Sequence, residues 1–234
     1  MKTTGVVAGI FSLFVVAGAE AAPILPGTVE TFDAPHDWVI GAGPVAQSPT
    51  LVPTALGGPG GALDPYLSLV STGAVAGPGS RLGAQNFGLW AGDYLAGGVN
   101  RIKLDARNFG TTDVYLRLLF VDFAGMAPVN AAFTHAVFLP GGSGWESIAF
   151  DISAGALTPV LGSAAAALAN TDELRIFHNP DPFFIPSQNP AIAANVGVDN
   201  ITASAPEPAT WLLFGTAAAF GARRRRRQSR SDVD

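Results

Sequence analysis

Apolar residues in this chain come in short runs, and Gly, Pro, Asn and Asp separate them. That punctuation predicts strands joined by turns rather than helices. Strands are expected at Thr28–Asp33, Tyr66–Ser71, Asn86–Trp90, Asn100–Arg107, Asp113–Asp122, Ala132–Leu139, Trp145–Ile152, Glu173–His178 and Asn195–Ala203. Ile102, Leu104 and Ala106 share one face of their segment, while Arg101, Lys103, Asp105 and Arg107 share the other. Ile148, Phe150 and Ile152 repeat the alternation. The run Val114–Val121 is nearly all apolar, as expected of a central strand covered on both faces. Leu157–Ala169 suits a short helix with an alanine run at Ala164–Ala167, ended by Asn170. Nine or so strands in roughly 180 residues fit an all-β fold, a two-sheet antiparallel β-sandwich of jelly-roll type. Two segments, Pro44–Gly61 and Asn179–Pro190, read as loops too long to be simple connections.

The two ends follow other patterns. Lys2 precedes an apolar run from Gly5 to Ala19 broken only by Ser12, and small residues follow at Ala17, Ala19, Ala21 and Ala22. This pattern predicts a secretory signal peptide over residues 1–21, with cleavage expected after Ala21 and, as the alternative, after Ala19. The run is short of the roughly 20 residues a membrane span prefers, which argues against an uncleaved anchor. At the other end, Pro206-Glu207-Pro208 precedes fourteen residues without an ionised side chain, Ala209 to Ala222, and then Arg223, Arg224, Arg225, Arg226 and Arg227. Fourteen helical residues rise about 21 Å, which makes a thin transmembrane helix for a core of about 30 Å. Five arginines oppose translocation and mark the cytoplasmic side, so the expected orientation is N-terminus outside and C-terminus inside. The domains are then 1–21 (signal), 22–205 (extracytoplasmic domain), 206–227 (motif, helix and basic stop) and 228–234 (cytoplasmic tail).

The motif with its following Ala209-Thr210-Trp211-Leu212-Leu213, the Gly/Ala-rich run and the arginine cluster resemble a PEP-CTERM sorting signal. The resemblance implies a Gram-negative host that makes exopolysaccharide and biofilm matrix. It also implies an exosortase-like membrane protease as partner, and an anchor that is transient before release to the cell surface or matrix. The body of the chain more weakly resembles laminin-type and carbohydrate-binding jelly-roll modules. Phe32-Asp33, Trp38, Gly60-Gly61-Ala62-Leu63-Asp64, Trp90-x-x-Asp93-Tyr94 and Val198-Asp199-Asn200-Ile201 carry that resemblance.

Composition narrows the chemistry. There is no cysteine, which removes disulfides, thiol catalysis and zinc-thiolate sites. Residues 22–205 hold six basic and fourteen acidic side chains, a net charge of −8 that points away from nucleic acid. It suits divalent cations and neutral glycans. A jelly roll sets its first and last strands side by side, so Asp33 and Asp199 are candidate ligands for one structural Ca2+, helped by backbone carbonyls. In modules of the resembled kind, acidic residues at such places often ligate calcium. The bland reading is that both carboxylates cap turns.

Aromatic candidates for stacking on sugar are Trp90, Tyr94, Phe183 and Phe184, whereas Trp38 and Trp145 read as core. His36, His135 and His178 are the only histidines, and no nucleophile elbow, zinc-protease helix motif or phosphate loop is present. The expectation is therefore a non-enzymatic protein with polysaccharide as a partner, set against a secreted glycan hydrolase or lyase and against a purely structural surface protein. The row Arg101/Lys103/Arg107 with Arg117 reads as a solvated sheet face neutralised by Asp105 and Asp113, or else as a surface for anionic polysaccharide.

Overall fold

The structure, a computed structural model, describes residues 21–41, 50–74, 79–180 and 190–206. Among them, one sheet runs β11 (Glu146–Asp151), β7 (Arg101–Asn108), β14 (Ala193–Ser204), β5 (Pro65–Thr72) and β4 (Thr54–Leu56), and β1 (Val29–Glu30) also pairs with β14. The second runs β12 (Thr158–Leu161), β9 (Ala127–Phe133), β8 (Val114–Ala124), β13 (Glu173–His178), β6 (Gly83–Asn86), β2 (Val39–Ile40) and β3 (Thr50–Leu51), with β10 (Val137–Leu139) on β8. The strand ladders are all antiparallel, so the chain is the expected two-sheet sandwich.

Alternation decides which residues meet between the sheets. From the first sheet, Leu67, Leu69, Ile102, Leu104, Ala106, Ile148, Phe150, Val196 and Val198 face inward. From the second come Ala84, Leu116, Leu118, Phe120, Leu174 and Ile176. Each of these side chains other than the two alanines stabilises by roughly 1.5–3 kcal/mol when taken from water. The apolar run on β8 is covered on both faces, as its sequence requires. Its outward residues Leu119 and Val121 join a second buried cluster with Ala131, Phe133 and Phe177. On that outward face Glu173 is fully buried, and its Oε1 accepts from Arg175 Nε at 2.7 Å and from Gln85 Nε2 at 2.9 Å.

The first strand is pinned by one carboxylate. Glu30 Oε2 accepts from the indole N–H of Trp38 at 2.8 Å and of Trp90 at 2.6 Å. Both indoles are fully buried, so neither donor has water as an alternative.

Several expected elements shift. The strand placed at Asn86–Trp90 ends at Asn86, because the Asn86 carboxamide oxygen accepts from the backbone of Gly88 and Trp90 and turns the chain there. Ala132–Leu139 divides into β9 and β10, with Thr134 crossing back to β8 through its hydroxyl. The helix (α1) is shorter than expected, Ala164–Ala169, because Ser163 caps its N-terminus through Ala166 N–H and residues 158–161 form β12 instead. Asn170 does end it. The part of Pro44–Gly61 that is described carries β3 and β4 rather than plain loop. No helix among the described residues is long and apolar enough to cross a membrane. The signal run through residue 20, Phe183 and Phe184, and the tail from Glu207 and Pro208 through Arg223–Arg227 lie outside the described residues.

Replacing Glu30 strands two buried donors at once. Glu30→Ala is expected to lower the unfolding free energy of the domain by about 3 kcal/mol in urea titration, and Glu30→Gln, which keeps one acceptor, by about half as much. A loss under about 1 kcal/mol for the alanine variant would mean the indoles find other acceptors.

Candidate functional site

Along β14, Val196 and Val198 point into the core, so Gly197 and Asp199 face outward. Gly197 leaves bare backbone in the middle of the six-stranded sheet. Three aromatic side chains close over it. A Cβ at Gly197 would lie 2.6 Å from Trp145 Cη2 and 2.9 Å from Phe109 Cε2 and from Tyr66 Cδ2. Tyr66 and Phe109 stack with centroids 5.4 Å apart, and Trp145 meets each edge-on at 5.2 and 5.9 Å. The Arg107 guanidinium lies 4.4 Å over the Phe109 ring. Trp145 and Phe109 are half-exposed and Tyr66 is nearly buried. Trp145, expected in the core, is thus on the outer face, held there by its Nε1–H donating to Gly57 O at 3.0 Å.

The acidic side chains lie next along the same face. Asp105 and Asp199 stand opposite each other on β7 and β14. β1 pairs with β14 at Glu30↔Ile201, which brings Asp33 to the same place, as the jelly-roll argument expected. Asp64 arrives from the loop before β5, where Gly60 N–H donates to its Oδ2 at 2.6 Å. Asp199 is only 1% exposed, and its carboxyl is pushed up to about 7. Burial is the main cause; the negative charges of Asp64, Asp105 and Asp33 add to it, and the Asn200 N–H opposes it.

The backbone is strained here. Phe32 (φ 59°) and Asn200 (φ 51°) are the two non-glycine residues in the left-handed region among those described, one beside each predicted ligand. The charges suit a hard cation. The donor count does not complete one, since no three acidic or histidine side chains among the described residues converge as a metal site.

Trp90 and Tyr94 are not on the surface. Both are fully buried, Trp90 through Glu30 and Tyr94 through its hydroxyl on Trp90 O at 2.8 Å, so the expectation that they stack on sugar is corrected. Trp38 is core as expected.

The basic row also changes. Arg117 is on the other sheet and buried, giving Nε–H to Asn179 O at 2.8 Å and Nη1–H to Thr134 O at 2.7 Å. The oxygens of Asp105 accept from Ser147 Oγ and Asn200 Nδ2 rather than from the row; Asp113 accepts from Gly141 N–H. Among the described residues the one ion pair is Arg175–Glu173. The histidines do structural work where they are bonded. His178 Nδ1 accepts from Tyr115 N–H at 2.9 Å, burial pushes its imidazole down to about 4, and His36 Nδ1 accepts from Trp38 N–H.

Residues 204–227 match the family model described as the PEP-CTERM protein-sorting motif. The chain carries a PEP-CTERM sorting motif. That motif begins on Ser204, the last residue of β14, and Pro206 stands exposed two residues on. No curated protein matches the chain.

The sandwich is similar to solved carbohydrate-binding modules. A family 11 module from Clostridium thermocellum, solved in complex with a β-1,3-1,4-mixed-linked tetrasaccharide, superposes with a TM-score of 0.50 at 14% identity, over 77% of this chain and 96% of that one. The solution structure of CtCBM11 gives 0.51 at 14% identity, over 79% and 98%. The family 11 module of the C. thermocellum cellulase Lic26A-Cel5E gives 0.50 at 13%, over 78% and 96%. At these identities the likeness is one of fold.

Sequence reading missed the Tyr66/Phe109/Trp145 group, although Gly197 inside an apolar strand was its signal. Gly197→Val is expected to expel Trp145, red-shifting the tryptophan emission and destabilising by about 2 kcal/mol. Trp38 and Trp90 are fully buried, so an unchanged spectrum would show that the aromatic group does not close over Gly197.

Proposed function

We propose that this is an exported, non-enzymatic surface protein whose sandwich binds glycan on the outer face of the six-stranded sheet. In this reading an exosortase-like membrane protease acts on a C-terminus that is anchored for a time with the N-terminus outside, and the domain then joins the exopolysaccharide or biofilm matrix. The sorting motif supports the handling, and the aromatic group over Gly197 carries the binding reading. Half-exposed rings beside carboxylates and amides offer both halves of what a pyranose needs: an apolar face to stack on and acceptors for its hydroxyls.

Binding is favoured over hydrolysis or lysis by the shape of the surface. Asp199 is buried, and the oxygens of its neighbours are engaged within the fold: Asp64 by Gly60 N–H, and Asp105 by Ser147 Oγ and Asn200 Nδ2; the open depression of about 470 Å³ beside Asp33 carries that carboxylate alone. Trp145→Ala is expected to abolish retention of the domain by the host exopolysaccharide in affinity electrophoresis while leaving it folded. Undiminished retention would favour the purely structural surface protein. Phe183 and Phe184 belong to the same proposal as further sugar contacts, tested by the same assay.

A structural Ca2+ on Asp33 and Asp199 is part of the reading, because a cation would relieve the mutual repulsion around the buried Asp199 carboxyl. The folded-state value lies above the ordinary carboxylate range, so ionising Asp199 opposes folding. Without a cation, stability should fall as pH rises from about 4 to about 7, and Asp199→Asn should remove that slope. Calcium should raise the melting temperature near neutral pH in the parent and not in Asp199→Asn. A melting curve that chelator leaves unchanged would remove the calcium. For the processing, the intact mass of the mature protein from its host should lack everything after about Pro208. A mature form that keeps Arg223–Arg227 would contradict it.

A further inference from the structure

The sorting motif leaves the sandwich at one pole, and that pole has a distinct chemistry. Four segments meet there. Ser204 is paired with Arg101, and its carbonyl accepts from Asn100 N–H at 3.1 Å. Asn100 O accepts from Ile152 N–H at 2.9 Å, which brings in the turn after β11. Gly27 N–H donates to Ala203 O at 2.8 Å, and Ala203 N–H donates to Thr28 O at 2.9 Å. The same N-terminal segment is laced to the loop after Trp90, through Ile24 N–H on Asp93 O at 3.0 Å and Asp93 N–H on Ala22 O at 2.8 Å.

Read together, these four segments are 21–28, 94–100, 152–157 and 203–206, and none contains Asp, Glu, Lys, Arg or His. Two of the charges that flank them are turned to other work, while Glu207 of the motif follows Pro206 in the tether. Asp93 caps Ala96 N–H at 2.8 Å, and Asp151 accepts from Ser153 N–H and Oγ. Arg101 is exposed at the rim. Two leucines stand out from the charge-free surface, Leu25 at 58% and Leu95 at 43% exposure.

The tether is short. Ser204 is still in the sheet, and the apolar run begins at Ala209. Five residue steps extend at most about 18 Å. The headgroup zone takes up on the order of 5–8 Å of that on one side of a bilayer. A domain about 30 Å long along β14 from Asn195 to Ser204 therefore has little room to tumble away.

Resting on the anchoring proposed above, we infer that the pole formed by residues 21–28, 94–100, 152–157 and 203–206 lies against the outer surface of the membrane that holds the tail, with Leu25 and Leu95 in the headgroup zone. Apolar and uncharged groups lose little on approaching that zone, whereas ionised ones would have to be desolvated. Arg101 sits where its stem can lie along the interface and its guanidinium reach lipid phosphate. The chain's own first residue after the signal, near Ala22, emerges at this pole too, and the α-ammonium that cleavage leaves there can reach lipid phosphate as Arg101 does.

The absence of cysteine from the chain makes the test direct. Single cysteines replace Leu25, Leu95 or Thr111 in the protein without its signal, residues 22–234, each carrying an environment-sensitive dye. Thr111 is exposed and belongs to the opposite pole, where Gly110 N–H donates to Asn195 O at the start of β14. The proteins are reconstituted into vesicles of phosphatidylethanolamine and phosphatidylglycerol, with and without spin-labelled lipid. The expected result is blue-shifted emission, quenched by spin-labelled lipid, at positions 25 and 95 and neither effect at 111. Sedimentation with vesicles accompanied by equal signals at all three positions would overturn the inference and leave the anchoring reading standing. Failure to sediment with vesicles at all would overturn both.

Discussion

The rest of the sandwich hangs on β14. It is the longest strand, twelve residues, and it hydrogen-bonds to β7 along one edge and to β5 and then β1 along the other. One edge shared between β5 and β1 leaves a seam opposite Asp199, and the chain fills it with the turn after β1 and the loop before β5. That is why Asp33, Asp64 and Asp105, distant in sequence, all act electrostatically on one carboxyl. The register slips between Asp199 and Thr202, and Asn200 takes a left-handed conformation within the slip. Bulges of this sort re-aim side chains. Here the amide of Asn200 is turned onto Asp105 at 2.8 Å.

The two outer faces of the sandwich are finished differently. That of the eight-stranded sheet is filled with long side chains that are themselves buried: Arg117, Phe133, Glu173, Arg175 and Phe177. That of the six-stranded sheet is floored by a glycine, covered by the buried Tyr66 and the half-buried Phe109 and Trp145, and bordered by carboxylates. On the eight-stranded sheet Glu173 Oε1 is held by Arg175 and Gln85 and Arg117 by two backbone carbonyls, contacts that serve the fold itself. Surface rings with polar neighbours leave contacts to be made by something else. The functional reading follows from that contrast more than from the likeness of fold, since folds of this kind host unrelated functions.

Much of the fold was legible because alternation is a local property. Arg101–Arg107 and Glu173–His178 could be assigned from their own residues, and the pairing of first and last strands followed from the topology. The predicted neighbourhood of Asp33 and Asp199 rested on that pairing alone. What could not be read was burial of individual aromatics. Trp90 and Tyr94 look like a surface motif in sequence, yet Trp90 is drawn inward by a carboxylate sixty positions earlier. Trp145 looks like the start of a buried strand, yet it lies outside because Gly197, fifty-two positions later, leaves a gap there and Gly57 O accepts its indole. Likewise Asp105 is nearest in sequence to Lys103 and Arg107, but cross-strand partners Ser147 and Asn200 take its oxygens. Short-range spacing cannot foresee such long-range bonds.

The proposed glycan surface is the face of the six-stranded sheet around Gly197. Backbone and indole amide resonances of the labelled domain, followed by NMR during titration with fragments of the host exopolysaccharide, test it most directly. Shifts concentrated at the Trp145 indole, Gly197, Arg107 and Phe109 are expected. Shifts concentrated instead on Arg175, Phe177 and Phe133 of the opposite sheet would contradict it.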